Sequence, residues 1–198
     1  LVSTMKIIEN IINGVPSKYK VSYKPITNVL INELPKQVQD QIADLFITSR
    51  QDPPRAIPIL QQLINQYPHI PQLYNFITTA YSLLDDYEMA ERFAIESCQK
   101  HPDYLFAKIN YAEICLQNDE YYKVPVIFNQ KMNLQLLYPE RNEFHLTEVI
   151  GFSGVCGIYY CKIGDRLSAA THYQTLEKTS SDSPMAKRLL ALLHHQVT

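Results

Sequence analysis

The residues whose types could carry nucleophilic, acid–base or metal chemistry are few and scattered. They are four cysteines (Cys98, Cys115, Cys156, Cys161) and six histidines (His69, His101, His145, His172, His194, His195). A nucleophilic thiol needs a base beside it and a lowered pKa, and no sequence neighbour supplies either. Cys156 and Cys161 are five apart, which places them on different faces of a helix, so they read as packing thiols. No C-x-x-C pair and no zinc-type spacing occurs, which leaves no metal site to assign. His69 and His101 stand beside Pro68 and Pro102 and read as turn residues, while His145 and Glu148 share a helix face as a solvated contact. No phosphate-binding loop, G-x-S-x-G or H-E-x-x-H is present. The expectation is a protein that is not an enzyme and takes no cofactor.

Composition narrows the partners. In 198 residues, 46% are hydrophobic and 19% charged, which is a globular balance and the length of one domain. Lys18, Tyr19, Lys20, Tyr23 and Lys24 interleave basic and aromatic residues, the pattern for stacking plus phosphate contact. The formal net charge of -2 favours the plainer reading, a solvated strand or coil, and no nucleic-acid partner. Apolar stretches fall well short of the ~20 residues that span a bilayer, so no membrane partner is expected. Lys6, Glu9 and Asn10 interrupt the N-terminal apolar run, which excludes a secretory signal there. Scattered thiols then suit a reducing, cytoplasmic location.

The elements that would position any site follow from an internal repeat. Ala56 and Ala90 are 34 residues apart, with Val124 another 34 on; Pro68 and Pro102, Tyr87 and Tyr121, and the acids Asp52, Asp86 and Glu120 keep the same step. A fourth copy fits after eleven extra residues, at Asp165 and Ala169. Ala56, Leu60 and Leu63 lie on one helical face, as do Tyr111, Ala112 and Cys115 and then Ala169, Tyr173 and Leu176. The acids sit where a second helix begins and would cap its free N–H groups. First helices are expected near 36–49, 70–83, 103–117 and 141–162, and their partners near 53–66, 87–99, 121–137 and 164–179. Pro58 and Pro125 fall inside helices on this map and would bend them.

These columns resemble the tetratricopeptide repeat, a 34-residue helix-turn-helix unit. The clearest copy, from 71, offers Tyr74, Ile77, Thr78, Tyr81, Tyr87, Ala90, Ala94 and Pro102; other copies begin near 37, 105 and 150. Asp40, Lys108 and Ser153 depart from the large-aromatic column, and the third copy lacks its proline at the expected place, Pro139 coming later. The resemblance covers residues 37–183 and implies an all-α fold, a right-handed superhelical α-solenoid of antiparallel helix pairs. A C-terminal helix over 184–195 would cover its apolar end. Residues 1–36 form a non-repeat segment, expected as a short helix (5–12), an extended piece and a second short helix (28–34), followed by a repeat domain over 37–198.

The same resemblance implies a non-catalytic scaffold that binds a peptide or helical segment of a partner protein in a concave groove. The groove residues are Gln72, Asn75, Thr79 and Ser82 in the second copy, Phe106, Ile109, Asn110, Glu113 and Leu116 in the third, and Gly151, Gly154 and Ile158 in the fourth. Phe106, Ile109 and Leu116 make a second apolar stripe on their helix, which either a partner or the N-terminal segment must cover. Gly151, Gly154 and Gly157 leave a bare stripe, explained either by a tightly packed neighbouring helix or by close approach of a bound backbone. The lysine/asparagine clamp that some relatives use for a C-terminal carboxylate is matched by Asn110 alone. The alternatives are a bacterial secretion-type chaperone, with dimerisation through the N-terminal region, and a structural subunit of a larger assembly. Partner identity and oligomeric state are left open by the residues.

Overall fold

The computed structural model describes residues 5–12, 14–26 and 28–195. Among these, most of the chain is helical, and a three-stranded sheet is present, so the fold is not all-α. The contacts divide the chain into two units, Thr27–Ile114 and, together, Leu1–Ile26 with Cys115–Thr198.

The first unit contains α1 (Val29–Asn32), α2 (Lys36–Gln51), α3 (Pro53–Gln66), α4 (Pro71–Leu83), α5 (Tyr87–Lys100) and most of α6 (Leu105–Gln117). Helix α4 packs against α2, α3 and α5. Its core joins the repeat columns, with Ala56, Leu60, Tyr74, Ile77, Ala90 and Ala94 all at most 1% exposed. Pro58 lies within α3 without ending it.

The 34-residue step recurs in the backbone bonds. Asp86 N–H donates to the Tyr81 carbonyl at 3.1 Å, and Glu120 N–H to Cys115 at 2.7 Å; 45 residues further on, Asp165 N–H donates to Tyr160 at 2.9 Å. Just before each donor sits a left-handed residue, Asp85 (φ 58°), Asp119 (φ 60°) and Gly164 (φ 79°). This is the Schellman closure of a helix C-terminus, which satisfies carbonyls that the helix leaves free. Asp86 and Asp165 then cap the next helix, accepting from Met89 N–H and Ser168 N–H. Asp52 and Glu120 stand at the same place without a side-chain cap.

A second joint also repeats. Tyr67, His101 and Tyr138 close their helices with φ near −130° and ψ of 60°, 62° and 74°. A proline follows each, and a residue before proline is steered away from the α conformation. Pro139 is therefore the closing proline of the third copy, displaced by three residues from the 34-step. The remaining eight extra residues lie between Pro139 and Tyr160.

The expected helix over 121–137 is broken. A 3₁₀ turn (Tyr121–Lys123) leads into α7 (Val124–Ile127), Asn129 and Gln130 adopt positive φ, and α8 (Leu134–Leu137) follows. Pro125 has no N–H to give the carbonyl of Tyr121, so the chain tightens there instead of continuing as an α-helix. Helix α9 starts at Leu146 rather than 141 and runs to Lys162, then come α10 (Arg166–Ser180) and α11 (Pro184–His195).

The N-terminal segment is a β-hairpin, not a helix at 5–12. Strands β1 (Lys6–Ile12) and β2 (Val15–Ser22) pair antiparallel, Ile12 opposite Val15, and β2 pairs parallel with β3 (Glu143–His145). Four isoleucines in seven residues favour strand, and Asn13-Gly14 between the runs is the strongest short hairpin signal in a sequence. The buried face carries Ile8, Tyr19, Val21 and Phe144, with Tyr19 edge-on to Phe144 at 5.3 Å. Helix α10 packs on β1, where Asn10 Nδ2 donates to Thr175 Oγ1 at 3.1 Å.

Two glycines of the stripe, Gly154 and Gly157, are covered by α11. A Cβ at Gly154 would overlap the Met185 side chain, and one at Gly157 the Leu189 side chain. Gly157→Ala should therefore destabilise the protein by about 1–3 kcal/mol through overpacking, although alanine is the better helix former. Thermal melting should show the loss, and Leu189→Ala added to it should recover part; a Gly157→Ala melt at or above wild type would refute the close packing.

Candidate functional site

Within the first unit, α4 presents Gln72, Asn75, Thr79 and Ser82 on one face, all half-buried. The other face of α4 is core: Leu73, Tyr74, Ile77 and Ala80 are fully buried. Helix α6 brings half-buried Phe106, Asn110 and Glu113. The two helices meet through their amides, with Asn110 Nδ2 donating to Asn75 Oδ1. That bond uses one donor and one acceptor. Asn75 Nδ2 and Asn110 Oδ1 have no partner among the described residues, so the pair still offers a donor and an acceptor. Thr79 Oγ1 returns its proton to the Asn75 carbonyl at 2.9 Å, and Gln72 Oε1 is buried with no partner.

An aromatic shelf borders the amides. Phe46 on α2 is 53% exposed and packs edge-to-face on Phe76 at 5.8 Å. The Arg50 guanidinium lies 4.4 Å above the Phe46 ring, and partial burial holds its pKa below the ordinary value. Phe46 and Arg50 were not on the expected groove face. The signal for them is the offset of Phe46 from the core row Ile42, Leu45 and Ser49 on its helix.

Four expected groove residues offer no surface. Ile109, Leu116 and Ile158 are 5%, 4% and 2% exposed, and Gly154 is buried under Met185. The folded chain itself covers Ile109 and Leu116, two members of the second apolar stripe of α6. Gly151 is half-buried on α9, in the other unit.

The titratable candidates occupy structural positions. Cys115, Cys156 and Cys161 are buried and Cys98 half-buried, all as free thiols. Burial raises the Cys98 thiol to about 11 and pushes Cys156 well up and Cys161 up, the direction opposite to that of an activated thiolate. His145 is the N-cap of α9, in a reciprocal capping box with Glu148. Arg141 grips Glu148 through two nitrogens at 3.2 and 2.7 Å and lies 4.3 Å over Phe144. Tyr19, in the basic stretch, is buried at 4% exposure, while Lys18 and Lys20 point outward. That alternation is the solvated strand.

No family model matches the chain, and no curated protein is significantly similar to it. No helix among the described residues is long and apolar enough to cross a membrane.

His172 is the histidine most altered by the fold. It is 1% exposed, its Nε2 has no hydrogen-bond partner, and its ring stacks on Tyr160 at 5.6 Å. Burial lowers its pKa to about 3. The unfolded chain takes up that proton near pH ~6.5, and the folded chain only near 3. This contribution is therefore complete above the unfolded value and is lost as pH falls below it, by at most about 1.4 kcal/mol per pH unit. Denaturant titrations between pH 7 and 5 should show wild type losing stability that His172→Phe retains; parallel profiles would refute it.

Proposed function

We propose that the protein is a non-catalytic interaction module of the tetratricopeptide-repeat kind, a right-handed superhelix of antiparallel helix pairs closed by α11. The backbone bonds that recur at the 34-residue step support this reading, as does the pairing of Pro68, Pro102 and Pro139 with one joint geometry. On this reading the free thiols suit a reducing cytoplasm.

The module binds an extended segment of a partner protein along α4 and α6. The observation that carries this is the Asn75–Asn110 pair. An extended backbone presents an N–H and a C=O on the same edge, and the pair holds one free acceptor and one free donor to meet them. Gln72 Oε1, buried and unpartnered, extends the polar row, and the Phe46–Phe76 shelf supplies an apolar anchor beside it. Phe106 and Glu113 flank the row.

An arrayed peptide library probed with the full chain tests the reading. Peptides captured by wild type should lose roughly tenfold in affinity for Asn75→Leu and for Asn110→Leu, about one hydrogen bond each, while the melting temperature stays within a few degrees. Capture that is indifferent to both substitutions would remove the amide pair from the site.

A further inference from the structure

A strand edge with unpaired backbone groups is a template for another strand, and natural sheets block such edges. The sheet here has two. On one side β3 is only three residues long, and the part of β2 beyond it is blocked: Pro16 has no N–H, and Lys18 N–H is taken by Gln135 Oε1 at 2.8 Å. Among the described residues the β1 edge carries no such device. It runs from Lys6 to Ile12 in unbroken register, without proline or bulge. Its two charges are already engaged, Lys6 Nζ on the Lys178 carbonyl at 2.8 Å and Glu9 with Lys18 at 2.5 Å. Beside that edge, on the outward face, Ile7 and Ile11 are 56% and 63% exposed.

We propose that β1 pairs antiparallel with β1 of a second copy of this chain about a two-fold axis at Glu9, joining two sheets into one of six strands. Ile7 and Ile11 stand symmetrically about Glu9 on the same face. In that register Ile7 lies opposite Ile11 of the partner subunit, and the reciprocal pair forms on the other side of the axis. Both exposed isoleucines are covered by one self-complementary contact, the geometry of a closed dimer. The charges agree with it. Glu9 faces Glu9 of the partner subunit, but each has its own Lys18 on the other side, so the row across four strands reads Lys, Glu, Glu, Lys and is neutral. A shift of two residues sets Ile7 against a carboxylate and loses the isoleucine pairs. An odd shift turns one outward face inward.

Sedimentation velocity of the full chain, from low to high micromolar, tests the pairing. Wild type should dimerise, and Ile7→Lys and Ile11→Lys should each raise the dissociation constant roughly tenfold or more. Glu9→Cys tests the register without weakening the fold, because opposed residues of antiparallel strands lie roughly 4.5–5.5 Å apart at Cα, within disulfide reach. Under mild oxidation Glu9→Cys should form a linked dimer, and Leu167→Cys, at a site 81% exposed elsewhere, should not. A wild type that stays monomeric, a dimer that survives both lysine substitutions, or a Glu9→Cys yield no higher than Leu167→Cys would overturn the proposal. If a lysine variant fails to fold by circular dichroism, the cysteine yields decide alone.

Discussion

A helix cannot end in a packed interior until its last carbonyls find donors. In this chain the donor is supplied five residues downstream by the first residue of the next helix's cap, as Asp86 does for Tyr81, Glu120 for Cys115 and Asp165 for Tyr160. The bond forms only if one intervening residue turns left-handed, which aspartate tolerates and glycine adopts freely. Asp85, Asp119 and Gly164 do this. The same bond closes three turns, and the small residues Ala90 and Ala169, four positions beyond Asp86 and Asp165, are fully buried.

Where the pattern is interrupted, the chain puts the interruption to use. Pro125 lies in the first turn of α7, which ends at Ile127, and α8 and then β3 follow before α9. β3 is short, but Phe144 at its centre is fully buried, and its backbone receives the N-terminal hairpin through Lys20 N–H on the Asn142 carbonyl. Arg141, stacked on Phe144 and paired with Glu148, fixes the start of α9 immediately after it. A partly buried ion pair of this kind contributes through geometry as much as through energy, since Glu148 also caps its own helix.

The candidate site was legible in part. That Gln72, Asn75, Thr79 and Ser82 share one face of α4, opposite Leu73, Tyr74 and Ile77, follows from helical spacing alone. That Asn75 and Asn110 bond to each other does not, because it depends on the separation of two helices 35 residues apart in sequence. The same blindness placed Ile109, Leu116, Gly154 and Ile158 on an open wall. Helical spacing tells which residues share a face, but not whether another part of the chain lies over it, as Met185 does over Gly154. Phe46 shows the converse: it stands beside the core stripe of α2, and helical spacing does not reveal that Phe76 meets its edge.

What the residues determined unaided is local and periodic. The helix pairs, their acidic starts and the prolines that end them follow from side chains acting on neighbouring backbone, within reach of a turn or two. Even the hairpin is written locally, in Asn13-Gly14 and the isoleucines beside it, which outweigh the helical spacing of residues 5–12. Tertiary structure alone decided which strand the hairpin would join, which stripe α11 would fill, and which amides would be left with free valences. Those outcomes depend on contacts between distant segments, where burial and packing choose among partners that short-range preference leaves equal.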